Sequence, residues 1–262
     1  MKGKRGVIMG VANEASIAWS ISKQLIDQGA TLAFTYPNEA IQTRLISLAN
    51  TFQPDAQIVK CDVLKEDDVP KAFATISDHW GAGVDFVLHS IAFSDKSQLS
   101  GRYSETTREN FINTMIISCF SFTEVCREAS KIMPDGGSIL SLSYLGANRV
   151  VPNYNTMGVA KAALESSVRY LAADLGVQKI RVNAISAGAV RTAASSGIGD
   201  FHCIMSWNKN NSPLRRNVEA HELGMAGLYM LSDLSSAVTG EIHYVDCGCN
   251  IIAMKATSQQ PD

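Results

Sequence analysis

Residues 6–36 read GVIMGVANEASIAWSISKQLIDQGATLAFTY, and the way this stretch changes its hydrophobic period decides the fold class. Val7, Ile8 and Met9 make a short apolar run too brief for a buried helix and rich enough in branched residues for a buried strand. Beyond Gly10 the pattern lengthens: Ala18, Ile21, Leu25 and Ile26 recur at helical spacing, and Gly29 stands where a helix C-cap belongs. Thr31–Tyr36 is apolar and β-prone again. Strand, helix, strand at this spacing is one βαβ unit, whose two strands lie parallel.

The same alternation continues along the chain. Further strands are expected at residues 57–61, 84–90, 137–143, 181–186 and Ile242–Val245, with a helix over Asn155–Leu175 ending at Gly176. About seven strands joined by amphipathic helices imply an α/β protein, a doubly wound parallel sheet with helices on both faces. At 262 residues and 46% hydrophobic content the chain can bury a large core, and no repeat or linker divides it, so a single domain over residues 1–262 is expected. Residues 195–212 break the alternation, mixing Gly197, Gly199, Asn208, Asn210 and Asn211 with Phe201, Ile204, Met205 and Trp207. They read as a short mobile helix or lid, or as a segment whose apolar residues cap the core. Residues 257–262 read as a frayed polar tail.

Composition removes several function classes. A formal net charge of -2 offers no excess positive charge for nucleic acid or an anionic membrane surface. The basic N-terminus is followed by too short an apolar run for a targeting segment, and none approaches the roughly 18 residues of a membrane span. The six cysteines are scattered through a chain too large to need a disulfide framework, which points to reduced thiols and a cytoplasmic location. Cys247-Gly248-Cys249 lacks a second Cys or His pair, so no metal site is expected in the chain.

In an open parallel sheet, ligands bind beyond the carboxyl ends of the strands, where strand order reverses. The loop after the first strand lacks the three-glycine dinucleotide fingerprint, yet Gly10 allows a close backbone approach, and Ser16 and Ile17 open a helix whose N-terminus can meet a phosphate. The second strand runs out at Pro37, where an acid often holds the adenosine ribose; Glu39 and Arg44 follow, so NADH and NADPH both remain open. Asp62 and Val63 close the third strand, an acceptor for an adenine amino group or a helix cap. Ser90 and Ile91 close the fourth, after His89, whose expected role is packing in the core. The fifth strand delivers Ser143-Tyr144-Leu145-Gly146, and a loop then leads through Asn153-Tyr154-Asn155 to Lys161. Lys161 follows Tyr154 by seven positions, two helical turns or roughly 10 Å of rise, which keeps both on one face.

These segments, with Ser16-Ile17-Ala18-Trp19, Cys61-Asp62-Val63, His89-Ser90-Ile91 and Arg181-Val182-Asn183-Ala184-Ile185-Ser186-Ala187-Gly188, resemble the short-chain dehydrogenase/reductase superfamily nearly end to end, and within it the bacterial NADH-dependent enoyl-acyl carrier protein reductases. Ketone-reducing members place tyrosine four residues before the lysine; here Met157 holds that position, and a thioether cannot donate a proton. The resemblance implies hydride transfer to a trans-2-enoyl thioester in fatty acid elongation. Tyr154 would act on the thioester oxygen, Lys161 would hold the nicotinamide ribose, and Tyr144 would assist or shape the acyl pocket. It further implies Val190 and Thr192 at the nicotinamide or pyrophosphate, and Ser94, Met157 and Phe201 along the acyl chain. The implied partners are an acyl carrier protein and three more copies in a homotetramer, with long helices at residues 106–133 and 155–175 at the interface. Pro37, Ala92, Ala189 and Cys247 depart from the family pattern. Cys247 must fit a turn usually made by glycine, which predicts local strain. A carbonyl reductase of the same superfamily and a noncatalytic sensor of cofactor redox state are the competing readings; Met157 opposes the first, the Tyr154 and Lys161 pair the second.

Overall fold

The computed structural model describes residues 1–81, 83–192, 195 and 199–254. Seven strands, β1 (Arg5–Met9), β2 (Thr31–Tyr36), β3 (Gln57–Lys60), β4 (Phe86–His89), β5 (Gly137–Tyr144), β6 (Ile180–Ala187) and β7 (Ile242–Val245), form one sheet in the order β3-β2-β1-β4-β5-β6-β7. Every pairing is parallel. The strands fall where the apolar runs placed them, within a few residues at their ends.

The period of two in the strands divides their side chains between two cores. Val7, Met9, Val87, Ile139 and Val182 pack on one face with α3 (Asp68–Trp80), α5 (Ser121–Lys131) and α6 (Asn155–Leu175). Ile8, Phe34, Leu88, Leu140 and Ile185 pack on the other with α1 (Ile17–Asp27), α2 (Glu39–Phe52) and α8 (Ala220–Leu231). Covering both faces is what lets the central strands read as unbroken apolar runs. Each wholly buried Leu or Ile contributes about 2 kcal/mol of transfer free energy. No described helix is long and apolar enough to cross a membrane.

Between β1 and β4 the winding reverses, so the loops leaving these neighbours diverge and open a cleft. Gly10 sits there at φ 95°, and a Cβ on it would lie 1.9 Å from the Ser90 carbonyl oxygen. Any other residue would force the two loops apart.

The helical stretch expected at 106–133 is divided. Thr107 caps α4 (Arg108–Met115) by accepting from the Asn110 N–H, a π-helical turn spans Ile116–Phe120, and α5 follows. Within that wider turn Ser118 Oγ accepts from Phe93 N at 2.9 Å and donates to Phe93 O at 3.0 Å, tying the loop after β4 to the helix. His89 is fully buried, as expected of a core histidine, and burial holds it neutral with a pKa of about 3. Ser121 Oγ donates to Ile117 O at 2.7 Å, so it accepts from His89 Nε2 at 2.9 Å, while Ser141 Oγ lies 3.2 Å from both His89 Nδ1 and the His89 carbonyl oxygen.

Of the expected lid at 195–212, α7 (Phe201–Asn211) is helical, while residues 196–198 and the tail at 257–262 lie outside the described residues. Cys247 adopts φ 59°, the left-handed conformation its position predicted. Asp246 steadies the turn, accepting from Gly248 N at 2.9 Å and Asn250 N at 2.8 Å.

Candidate active site

A cavity of about 600 Å³ occupies the cleft at the strand ends, and every residue the sequence singled out for cofactor or substrate lines it. At the β1 to β3 side stand Gly10, Ser16, Ile17, Pro37, Asp62 and Val63; Ser90 and Ile91 continue from β4, and Val190 and Thr192 close the far side after β6. The polar groups here are partly committed. Ser16 Oγ accepts from Ala12 N and Asn13 N, both at 3.1 Å, which shapes the turn before α1 and leaves only the hydroxyl proton to donate. Asp62 Oδ1 accepts from Leu64 N at 3.2 Å and caps no helix, since α3 begins at Asp68. Thr192 exchanges hydrogen bonds with Ser195, through its N–H at 2.8 Å and its Oγ1 at 3.0 Å.

At the other end Tyr154, Tyr144, Lys161, Met157, Ser94 and Phe201 converge. Tyr154 is the N-cap of α6, between Asn153 at φ 59° and Asn155 at φ 27°. Asparagine tolerates that region better than most residues, and here it turns the chain so that the tyrosine ring enters the cavity. Asn155 Nδ2 reaches the Gln98, Ser100 and Gly101 carbonyls at 3.3 to 3.4 Å, and Asn153 Nδ2 donates to Gly199 O at 3.1 Å. The Tyr154 and Tyr144 rings meet edge to face, 5.0 Å between centroids. Gly146 makes room for this pair: a Cβ there would stand 2.4 Å from Tyr154 Cδ1. Burial raises the Tyr144 phenol to about 12 and pushes Tyr154 up further, so both are neutral hydrogen-bond donors at ordinary pH.

Lys161 is buried on the cavity wall, and its Nζ donates to the Leu142 carbonyl at 2.8 Å. Burial pulls its pKa down to about 8, against the smaller opposing pull of Cys119 and Glu165. Met157 packs with Tyr154 and Leu99. Ser94 lines the cavity, but its hydroxyl donates to Asn110 Oδ1 at 3.2 Å and accepts from Thr114 Oγ1 at 2.9 Å, so it offers shape rather than a free polar group.

The sequence reading missed a supporting layer. Glu165, one turn after Lys161, accepts from Ser143 Oγ at 2.6 Å and Asn148 Nδ2 at 3.0 Å, and so fixes the end of β5 whose Leu142 carbonyl holds the lysine. Its i+4 spacing from Lys161 was the available signal. Ile117 and Leu99 also line the cavity. Ile117 reaches it through the π-helical turn, which no 3.6-residue pattern marks.

The residues fit a dinucleotide: small residues such as Gly10, Ala92 and Gly188 let it lie against backbone, α1 presents its N-terminus, and the cavity is mostly apolar. A doubly wound parallel sheet with a tyrosine and a helical lysine over its switch-point cleft defines a nicotinamide-dependent reductase of the short-chain dehydrogenase/reductase class. A family model described as enoyl-(acyl carrier protein) reductase matches residues 10–250. An enoyl-[acyl-carrier-protein] reductase [NADH] 2 from Rhizobium meliloti is 56% identical over 97% of this chain and 94% of its own length. Among solved structures, the enoyl-(acyl-carrier-protein) reductase of Anaplasma phagocytophilum in complex with NAD superposes with a TM-score of 0.94 at 54% identity, covering 98% of this chain and 97% of that one. The Bacillus cereus enoyl-acyl carrier protein reductase with NADP+ and indole naphthyridinone also gives 0.94, at 45% identity, covering 97% and 98%. The chain belongs to the enoyl-(acyl carrier protein) reductase family.

Proposed function

We propose that this chain is an NADH-dependent enoyl-acyl carrier protein reductase that saturates the trans-2 double bond of an enoyl thioester, the last reduction of the type II fatty acid elongation cycle. The observation that carries the reading is the wall of the cavity itself: Tyr154 and Lys161 line it seven positions apart, with the thioether of Met157 where a ketone reductase needs a phenol. Bound in the cavity, the nicotinamide would supply a hydride to the β-carbon; the electron pair of the double bond moves toward the thioester oxygen, and the resulting enolate is saturated by a proton from solvent at the α-carbon. Tyr154 donates a hydrogen bond to that oxygen as charge develops, and burial strengthens such a bond in the transition state. Lys161 binds the nicotinamide ribose hydroxyls and adds positive potential close by. Tyr144 packs against Tyr154 and shapes the pocket with Met157, Phe201 and Ser94.

Gly10, Ser16, Ile17, Ser90 and Ile91 take the pyrophosphate and neighbouring ribose, Asp62 and Val63 the adenine, Pro37 the adenosine ribose, and Val190 and Thr192 the nicotinamide side. Pro37 offers neither a carboxylate nor an N–H, so NADPH is tested beside NADH. The substrate arrives on an acyl carrier protein in the cytoplasm. One domain carries both sites, with residues 195–212 as the lid. A homotetramer covers the apolar side chains that Phe111, Ile112, Phe120, Val159 and Tyr170 present on α4, the π-helical turn and α6, between 36% and 74% exposed.

Purified protein given crotonyl thioester and NADH is expected to oxidise the nucleotide, seen as loss of reduced-nicotinamide absorbance, while a 3-oxo thioester is expected to give no turnover. Absence of oxidation with both NADH and NADPH would sink the assignment.

A further inference from the structure

We propose that the first turn of α7 is a zinc-class metal site made by Asp200, His202 and Cys203. A carboxylate oxygen of Asp200, an imidazole nitrogen of His202 and the Cys203 sulfur all lie within 4.8 Å of one another on the surface. His202 Nε2 and Cys203 Sγ are already 3.3 Å apart. Bond lengths of about 2.0 to 2.3 Å place neighbouring ligands of tetrahedral zinc about 3.3 to 3.7 Å apart, so the histidine and cysteine stand at the required separation and the aspartate closes the rest by side-chain rotation. One oxygen, one nitrogen and one sulfur suit a borderline divalent cation and are a poor set for magnesium or calcium, which take oxygen ligands. Water fills the fourth position.

The surroundings agree with this chemistry. Asp200 is held at φ 55°, and its Oδ2 lies 3.5 Å from Asn153 Nδ2, a contact long enough to yield to a metal. All three ligating residues are exposed, so the ion needs no entry path, and Cys203 is the one exposed cysteine of the six. As the sulfur–metal bond forms, the Cys203 thiol releases its proton to solvent.

The site is tied to the cavity. Phe201 stands between the ligands and lines the cavity, and Asn153, next to Tyr154, bonds the Gly199 carbonyl just before them. Metal would therefore pin the turn that places Phe201 at the acyl end. This effect on turnover rests on the proposed reductase activity; binding of the metal does not.

Titrating the tag-free full-length chain with Co2+ tests the site without substrate. The expected result is one ion per chain with a near-ultraviolet thiolate-to-cobalt charge-transfer band, displaced by Zn2+, lost in Cys203→Ser and weakened at least about tenfold in His202→Asn. Zinc is then expected to raise KM for crotonyl thioester in the parent and not in Cys203→Ser. Absence of stoichiometric binding, or binding that Cys203→Ser leaves unchanged, overturns the site; an unchanged KM in the zinc-loaded parent overturns its link to the cavity.

Discussion

Tyr154→Phe is expected to lower kcat with crotonyl thioester by about 10²-fold while leaving the Kd for NADH within about twofold. The ring is retained, so its edge-to-face contact with Tyr144 and its packing on Met157 and Leu99 persist. What goes is one hydroxyl in a buried setting that keeps the phenol neutral and able to donate. A donor aimed at developing negative charge acts mainly in the transition state, which is why its loss falls on kcat and not on cofactor affinity. Tyr144→Phe, whose phenol burial raises to about 12, should cost less, because that residue forms part of the pocket wall. Steady-state kinetics beside a fluorescence titration of NADH separate the two quantities. Equal, small losses in both variants would remove Tyr154 from the reaction.

The second large effect belongs to Lys161, where binding and stability are expected to move in opposite directions. Its pKa in the fold, about 8, lies below the usual lysine value of 10.5 because burial disfavours the charged form. Below about pH 8 folded and unfolded chains both carry the proton, and the burial penalty is fully present. Between about 8 and 10.5 the unfolded chain holds a proton that the folded chain has released, so the stability of the cofactor-free protein rises with pH across that window. Lys161→Met removes the penalty, worth up to about 3 kcal/mol at pH 7, less what the Leu142 carbonyl loses with its donor. Urea unfolding without cofactor should therefore show the variant at least as stable as the parent at pH 7, with the rise above pH 8 flattened. The same variant is expected to bind NADH about 10- to 100-fold more weakly, the scale of hydrogen bonds from a charged donor. In the parent, affinity should fall as pH climbs through 8 and the lysine loses its charge; in Lys161→Met it should stay level. A variant that lost stability at pH 7 and kept its affinity would make Lys161 a structural residue.

Most of the architecture was legible because it rests on local periodicity. Val7 to Met9 and Thr31–Tyr36 announce themselves as buried parallel strands, and α6 runs over the very residues its apolar spacing marked. The break between α4 and α5 was not legible. A π-helical turn comes from tertiary demands, here Ser118 holding Phe93 and Ser121 backing His89, which leave no trace in a 3.6-residue pattern. The cavity wall was legible through residue type at strand ends, from Gly10 to Thr192. Which polar groups remain free was not, since that depends on contacts between distant segments. Ser94 looked like a substrate contact and is engaged by Asn110 and Thr114, while Glu165, an unremarked helix residue in the sequence, anchors the strand end beneath the lysine. Asn153 and Asn155 are an intermediate case: a pair of asparagines around a tyrosine is a recognisable allowance for left-handed backbone, but only the fold shows that it serves to turn Tyr154 inward.

The central claim is that the cavity directs hydride to a carbon–carbon double bond and away from a carbonyl. Offering the protein crotonyl and acetoacetyl thioesters together, with NADH carrying deuterium on the transferred position, and locating the label in the products by mass spectrometry and NMR, tests this most directly. A single deuterium is expected on the β-carbon of butyryl thioester, with unlabelled acetoacetyl thioester recovered intact. Deuterium on the carbinol carbon of a 3-hydroxy product would contradict it.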